Sequence, residues 1–247
     1  LHPRAHSSTK PFGLGDIEAL ENKCKELNVP ILLNMKVVRV IREGNLSGRV
    51  IGVEVQTKRG RTQYIRALKG VVLASGGFSA NPQARALHDP RLFDLPTTNH
   101  KGATGDLIAP AQDIGAEVVG MDYIQLLPGG ATTGRFIGMV SPVESVIFVN
   151  KNGDRFVAED KRRDVIADAI LGSPTKVVFG IRDADGYAAM NKGATKAFNG
   201  AFEIGDAFKA DTLDELAAKL QIPAENLKKA VEAYNKAVDE KKDPLGR

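Results

Sequence analysis

The segment GDRFVAEDKRRD, residues 153–164, contains the densest group of side chains that could carry acid–base or anion-binding chemistry. A cation held beside a substrate can stabilise negative charge that develops in a reaction, and a positioned group can deliver a proton to the same atom. A structural interpretation is also open, in which the segment is a solvated turn before a helix. Its carboxylates, Glu159 and Asp164, would then pair with the adjacent arginines. The two arginines are Arg162 and Arg163. Composition alone favours this structural interpretation over the chemical one.

A second candidate is the loop Ser75-Gly76-Gly77, which follows a short apolar run. Residues 71–73 are continuous and apolar, which predicts a strand buried on both faces. Glycine lets the backbone turn or approach another group closely, so the loop after this strand is a candidate contact.

The segment GLGDIE, residues 13–18, matches the first two glycines of a dinucleotide fingerprint. A true fingerprint follows a buried strand and has a small residue at its third position. Polar residues precede this segment and Glu18 stands at the third position, so we interpret it as a lookalike.

Metal and thiol chemistry find little support in the sequence. The four histidines are His2, His6, His88 and His100, and no pair among them has the spacing of a zinc site. Arg4 with His6 could face an anionic ligand, although a solvated loop is the simpler interpretation. The single cysteine, Cys24, excludes an internal disulfide and any multi-cysteine site, and its helical spacing predicts an inert core thiol.

Composition places the chain among ordinary soluble globular proteins. The 247 residues carry a formal net charge of +4, with 43% hydrophobic and 26% charged residues. The field of so small an excess is weak, and 6% aromatic residues without Trp leave few stacking platforms, so nucleic-acid binding is not expected. No apolar run approaches 18 residues, so no membrane span is expected. The chain starts at Leu1 without a signal-peptide pattern, which suggests a processed or excised piece.

Hydrophobic periodicity predicts the elements that must position these residues. It indicates a helix over 14–28 and then a β-meander of three strands, with a domain boundary near residue 120. The meander strands are expected at 31–42, 49–56 and 62–67. A helix is expected to start near Thr104, and Pro110 would kink it or lie in its first turns.

The second half of the chain reads as a mixture of short strands and helices. A strand at 145–150 and a turn at 151–154 precede a helix near 163–171 and a strand at 175–181. Thr212 and Glu215 form a capping box that opens the first of two C-terminal helices. The second starts at Pro223 and has one apolar stripe, formed by Leu227, Ala230, Val231, Tyr234 and Val238.

Five segments in order along the chain resemble the FAD-dependent fumarate reductase, flavocytochrome c and succinate dehydrogenase flavoprotein superfamily. They are VVLASGGFSAN (71–81), TTNHKGATGD (97–106), MDYIQ (121–125), VNKNGDRFVAEDKRRD (149–164) and the C-terminal AENLKKAVEAYNKAV helix. The resemblance implies an α/β plus α+β protein. Residues 1–120 would be a partial, Rossmann-like FAD-binding domain with a β-meander, and 121–247 a clamp domain that caps the substrate.

The resemblance also implies roles for individual residues. Relatives have an arginine in the pattern N-E-x-x-x-R-D that donates a proton to the substrate, and this position is Arg163 here. On the cofactor side, Asp106 matches the Asp of the G-A-T-G-D segment, and Val37 matches a backbone contact in the N-x-x-V turn. Ser75, Gly76 and Thr104 lie in the matching loops beside FAD. An alternative for Asp106 is that it caps the helix that follows.

Departures from the family pattern bear on the substrate. Leu126-Leu127-Pro128 stands where fumarate reductases have a His, and residues 138–142 lack their T-E-x-x-R cluster. Fumarate is therefore disfavoured against a urocanate-type or other 2-enoate substrate, with Arg135 and Glu144 as the nearest charged replacements. Two family segments that complete the FAD site would fall outside this chain. A protein of this length is thus expected to bind FAD poorly and to be inactive alone.

We therefore predict that the chain is the central portion of a flavin-dependent reductase of α,β-unsaturated carboxylic acids. Its expected partners are a small anionic unsaturated acid and an electron-donor domain or protein, and the truncated form is expected to self-associate through exposed edges. The alternatives are a dehydrogenase of the 3-ketosteroid type and a non-catalytic binding module. Relatives occur in the periplasm and in the cytoplasm, so the resemblance leaves the compartment open.

Overall fold

The structure, a computed structural model, describes residues 9–10, 13–130 and 143–247 of the chain. The chain divides into two compact units. The first unit is Leu1–Ala74 with Asp106–Glu117, and the second is Ser75–Gly105 with Val118–Arg247. The domain boundary near residue 120 stays a prediction.

The β-meander of the first unit confirms the three strands expected from alternating residues. They are β1 (Met35–Arg42), β2 (Val50–Thr57) and β3 (Thr62–Arg66), paired antiparallel in that order. β2 lies in the centre, and Val55 is 1% exposed. The pairing shifts register between Val37 and Arg39, so β1 carries a bulge there.

Two helices flank the meander in sequence. The predicted N-terminal helix is confirmed as α1 (Leu14–Glu26), and Gly13 of the GLGDIE segment is its N-cap. None of its residues is buried, and Cys24 is only half-buried, so the prediction of a core thiol is wrong. The second of these helices, which in chain order is α3 (Ile108–Gln112), lies against β1. Its N-cap residue is Leu107, which has no side-chain cap, so Asp106 does not occupy the N-cap position.

The strand predicted at residues 71–73 is not formed. Residues 70–78 have no regular secondary structure, and Val72 is 91% exposed. A strand requires a hydrogen-bonded neighbour, and no described segment pairs with this run. The apolar pattern therefore indicated a buried strand that the described residues do not build.

The second unit begins with loops around one short helix, α2 (Pro82–His88). The Asn81 side chain accepts the backbone N–H of Ala84 at 3.0 Å and so caps this helix. A 3-10 turn at Pro90–Leu92 follows.

The core of the second unit is built on a two-stranded sheet. β4 (Ile147–Val149) and β5 (Phe179–Ile181) pair antiparallel, shorter than the strands predicted at 145–150 and 175–181. Two C-terminal helices, which in chain order are α7 (Leu213–Leu220) and α8 (Ala224–Asp239), pack on each other and on this sheet. The buried residues of this cluster are Ile147, Val149, Ala217, Leu220, Ile222 and Leu227.

Three further helices lie between the strands and the C-terminal pair. α4 (Arg163–Leu171) begins and ends where the sequence predicts. α5 (Ala184–Ala188) and α6 (Lys192–Glu203) occupy a small-residue region in which no helix was predicted. Both start with a side-chain cap, from Asp183 and Asn191 respectively.

Candidate functional site

The candidate proton donor, Arg163, is the first residue of α4 and is exposed. Within the described part of the chain it makes no hydrogen bond or ion pair. The preceding Arg162 is instead hydrogen-bonded to Asp164, and this contact lowers the pKa of the Asp164 carboxyl below its ordinary value. The predicted pairing of Arg162 with Asp164 is thus confirmed, whereas Arg163 remains available to another group.

The other predicted local pair is wrong, because Glu159 does not bind Arg162 or Arg163. The Glu159 side chain is fully buried. It accepts hydrogen bonds from Arg155, at 3.0 and 2.8 Å, and from Arg247 at 3.0 Å. Sequence proximity suggested exposed partners, while the actual partners include a residue 88 positions away.

Glu159 belongs to a buried ionic cluster that we define as Arg155, Glu159, Asp243 and Arg247. Arg155 also binds Asp243, with Nη2 2.8 Å from Oδ2. Both guanidinium groups stack on the Tyr234 ring, at 4.7 and 4.9 Å from its centroid. Tyr234 was predicted only as part of an apolar stripe, and no local sequence signal marked it as the platform for two arginines.

The cluster holds its carboxyl groups ionised. Burial alone would raise the pKa of the Glu159 carboxyl, but hydrogen bonds from Arg155 and from the Phe148 backbone N–H hold it below its ordinary value. Burial likewise opposes ionisation of Asp243, while hydrogen bonds from Arg155 and the Leu245 N–H lower its pKa. Both carboxylates are therefore charged at neutral pH.

Two of the predicted cofactor residues, Val37 and Asp106, lie in the first unit. Lys36, which precedes Val37 on β1, has its Nζ 3.0 Å from Asp106 Oδ2. Because β1 is an edge strand, its outward backbone groups are not used by the sheet. The structure therefore brings Asp106 close to the segment of Val37 through Lys36, beside an edge of β1 that no described strand covers.

The other three, Ser75, Gly76 and Thr104, lie in the second unit. Their segments are joined by the Ala80 N–H, which donates to Ala103 O at 2.8 Å. The amide of Asn81 adds a second link, because its Nδ2 donates to Thr104 O at 3.2 Å while its oxygen caps α2. Asn81 is the last residue of the 71–81 motif, and no separate role was predicted for it. Its position directly before Pro82 is the signal that could have identified it as a helix cap.

The glycine loop fits a closely approaching dinucleotide such as FAD. Gly76 has φ +80°, a conformation that favours glycine, and a Cβ on Gly76 or Gly77 would meet nothing within 4 Å. The backbone N–H groups of Ser75, Gly76 and Gly77 bind no acceptor in the described residues. Open, unpaired donors on a glycine backbone are suited to contact a phosphate or a flavin ring.

A large open cleft of about 1890 Å³ lies within the second unit. Leu126, Leu127 and Pro128, which were predicted to stand where relatives have a histidine, are among its lining residues, as is Glu144. Arg163 is not among them. Arg135 and the stretch 138–142 lie outside the described residues, as do Arg4, His2 and His6.

Sequence reasoning also missed Arg85, a buried arginine that lines this cleft and is 6% exposed. Its guanidinium donates to the carbonyl oxygens of Ser79 and Leu95, each at 2.7 Å, and to Phe93 O at 3.3 Å. Burial lowers the pKa of the Arg85 guanidinium from its ordinary value. Arg85 therefore fixes the loop that follows α2.

Searches for metal and membrane features concern only the described residues. Within them no group of three or more His, Cys, Asp or Glu side chains could hold a metal ion. No helix in those ranges combines the length and the apolar character that a membrane crossing requires.

Comparison with known proteins agrees with the resemblance seen in the sequence. The chain is 32% identical over 250 residues to the NADH:acrylate oxidoreductase of Vibrio harveyi, and it covers 24% of that protein. It is 33% identical over 240 residues to the urocanate reductase of Eggerthella lenta, of which it covers 39%. These alignments use 99% and 94% of this chain. The chain thus spans about a quarter to two fifths of the length of these relatives.

A solved structure has the same fold. The open conformation of a flavocytochrome c3 fumarate reductase superposes with a TM-score of 0.78 at 31% identity, covering 99% of this chain and 42% of the other. This match confirms the predicted FAD-binding-domain fold, which the described residues show as mixed helices and small sheets. The predicted clamp domain at 121–247 stays a prediction. A family model described as FAD binding domain matches residues 4–245. The chain therefore belongs to the FAD binding domain family of flavoproteins, and its cofactor is FAD.

Proposed function

We propose that this chain is the central portion of a flavin-dependent reductase of α,β-unsaturated carboxylic acids. The support is its similarity to reductases of acrylate, urocanate and fumarate, together with the exposed arginine at the start of α4. The substrate is a small anionic 2-enoate, and the electrons come from a separate domain or protein.

We assign cofactor contacts to five residues of the chain. Val37 would contact FAD through its backbone and Asp106 through its carboxylate. Ser75 and Gly76 would contribute the open backbone of the glycine loop, and Thr104 would lie in the adjoining loop. Reduced FAD, when bound, supplies the hydride for the reaction.

Arg163 would act on the substrate as cation and proton donor. Hydride addition to one carbon of the C=C bond leaves the electron pair on the carbon next to the carboxylate. Arg163 would stabilise that charge and transfer a proton to the same carbon, so that the product is the saturated acid. An arginine is an unusual acid, so a relay group must return its proton.

The position of Arg163 is the observation that carries this assignment. A cation in the first turn of a helix is disfavoured by the positive end of the helix dipole. Asp164 offsets this effect, but it is bound to Arg162. Stability therefore does not explain why an exposed arginine, with no partner among the described residues, occupies the first position of α4.

The substrate class follows from the residues that replace the family pattern. Leu126, Leu127 and Pro128 place apolar groups where a fumarate reductase has a histidine. An apolar wall favours a substrate with one carboxylate over a dicarboxylate, because a second buried charge requires a partner. We therefore place urocanate-type acids and other 2-enoates ahead of fumarate.

The test uses the complete gene product that contains this chain, loaded with FAD and reduced without oxygen. Acrylate, urocanate and fumarate are then each mixed with the reduced protein, and flavin reoxidation is followed by the recovery of flavin absorbance. Arg163→Ala should slow reoxidation by at least about 100-fold, as expected for loss of a general acid. Arg162→Ala, the adjacent exposed arginine, is the matched control and should change the rate by less than about twofold.

An equal effect of the two substitutions would remove Arg163 from its assigned role. If none of the acids reoxidises the flavin and a 3-ketosteroid reduces the oxidised flavin, the dehydrogenase alternative would replace the proposal. A flat titration of the complete protein with FAD would favour the non-catalytic binding module.

A further inference from the structure

We infer that Glu159 is a positioning residue that fixes the loop carrying Arg163. This inference rests on the proposed function for the role of Arg163, but the anchoring itself rests on the geometry of the buried ionic cluster.

Both oxygens of Glu159 are saturated with N–H donors. Oε1 accepts the Phe148 backbone N–H and Arg155 Nε, each at 3.0 Å. Oε2 accepts Arg155 Nη2 at 2.8 Å and Arg247 Nη1 at 3.0 Å. A fully buried carboxylate with four donors has one well-defined position, since each donor restricts it from a different direction.

These donors tie the loop to separate parts of the second unit. Phe148 is the central residue of β4 and is 0% exposed. Arg247 also donates to the carbonyl oxygens of Val143 and Val146, at 2.7 and 3.0 Å. The loop is therefore held to the sheet on one side and to the end of the chain on the other.

Arg163 follows this anchor by four residues. Ala158 is 2% exposed, whereas residues 160–165 are exposed, so the chain leaves the core directly after Glu159. The link is folded back, because the Lys161 N–H donates to Ala158 O at 3.2 Å. Its other end is fixed by α4, where Ile166 is 4% exposed. The backbone of Arg163 is thus held between two buried points.

The charge of Glu159 is required as well as its shape. The cluster pairs two guanidinium groups with two carboxylates, all of them largely buried. A glutamine would keep the acceptor for Phe148, but its NH₂ group would face guanidinium donors. Arg155 and Arg247 would then share the Asp243 carboxylate, and an uncompensated buried charge is strongly destabilising. We expect the loop to move so that water can reach the excess charge.

The experiment compares Glu159→Gln with Asp160→Asn in the complete, FAD-loaded protein. Asp160 is the next residue, is exposed and undergoes the same acid-to-amide change. A small displacement of a catalytic group costs on the order of 100-fold in rate. We expect Glu159→Gln to slow flavin reoxidation by about 10- to 100-fold with FAD affinity unchanged, and Asp160→Asn to have less than about a twofold effect.

A double-mutant cycle separates positioning from a general structural role. If Glu159 acts through Arg163, Glu159→Gln should cost at least about tenfold in the parent background and less than about twofold in the Arg163→Ala background. A general loosening of the fold would slow the reaction equally in both. Equal losses in the two backgrounds would overturn the inference.

Amide hydrogen exchange tests the anchoring without any reaction. Glu159→Gln should accelerate exchange of residues 160–166 and leave residues 213–220 of α7, which do not contact the cluster, unchanged. If Arg163→Ala does not slow reoxidation, the proposed proton donor is wrong, and this exchange pattern still decides whether Glu159 fixes the loop. Unchanged exchange at 160–166, or acceleration throughout the second unit, would contradict the anchoring.

Discussion

Helices α1 and α8 have the same kind of sequence pattern and opposite degrees of burial. Both carry apolar residues at helical spacing, and the structure confirms both as helices. In α1 no residue is buried, and Ile17 and Leu20 are 61% and 63% exposed. In α8 the matching stripe contains Leu227, which is 0% exposed against β4 and α7. The period of a pattern therefore predicts a face but not what covers that face.

The physical basis of the difference is the partner available to each stripe. α8 meets a sheet and a neighbouring helix whose side chains form one buried cluster with Leu227. The apolar groups of α1 stay in contact with solvent, so they contribute little to the stability of this chain. The predictions that follow separate a covered stripe from an uncovered one.

The largest effect is expected at the covered stripe. Leu227→Ala removes a fully buried side chain and should lower the free energy of unfolding by about 2–5 kcal/mol. Leu20→Ala is the same substitution on α1 and should change it by less than about 0.5 kcal/mol. Urea denaturation of the two variants measures both values. Similar losses would show that the stripe of α1 is covered in solution.

The next largest effect is expected from acid, which should lower the stability of the second unit. The pKa values of Glu159 and Asp243 are lower in the folded state than in the unfolded state. The folded state therefore binds fewer protons, and its stability falls as pH drops below the ordinary carboxyl values, 4.5 for Glu and 3.8 for Asp. Calorimetry from pH 7 to pH 3 should show a decreasing Tm.

Asp243→Asn sharpens this prediction. It removes one of the two carboxylates, so the Tm should start lower at pH 7 and fall less steeply below about pH 4. A pH dependence as steep as that of the parent chain would assign the acid sensitivity to other carboxyl groups.

The cap of α7 should contribute a smaller amount. The Thr212 hydroxyl accepts the Glu215 backbone N–H at 3.2 Å, whereas α1 has no side-chain cap. Thr212→Ala should cost about 1 kcal/mol of unfolding free energy, and Thr212→Ser should retain most of it. Chemical denaturation compares the two variants, and equal losses would show that the methyl group matters rather than the cap.

The smallest effect is expected from the exposed charges of α1. Glu21 pairs with Lys25 at 2.8 Å, and its hydrogen bond to Lys25 lowers the pKa of the Glu21 carboxyl. Both side chains are exposed, so solvent screens the pair. Glu21→Gln should leave the Tm unchanged within the error of calorimetry, and a clear decrease would mean that α1 is packed against another surface.

Local signals in the sequence predicted the elements that depend on local interactions. Alternation predicted the meander, and the start of α4 and the Thr212 cap were placed correctly because each depends on neighbouring residues. Residues 71–73 failed as a strand because a strand depends on a partner that periodicity does not specify. The role of Arg163 came from a family resemblance and not from local physics.

Glu159 shows why the site itself could not be predicted in full. Local charges suggested Arg162 and Arg163 as its partners, while the fold supplies Arg155 and Arg247. A contact between residues 88 positions apart leaves no mark on the local sequence. The glycine loop was easier to identify, because consecutive glycines in the sequence directly indicate a backbone that is open to close approach.

The buried ionic cluster also sets an order of events during synthesis. Arg155 and Glu159 leave the ribosome long before Asp243 and Arg247, because 88 residues separate the members of each pair. At about 5–20 residues per second, this interval lasts roughly 4–18 seconds. During that time the Arg155–Glu159 pair lacks half of its counter-charges, and the segment ahead of α4 cannot adopt its final place. The loop that positions Arg163 can therefore reach its final structure only after α8 has been synthesised.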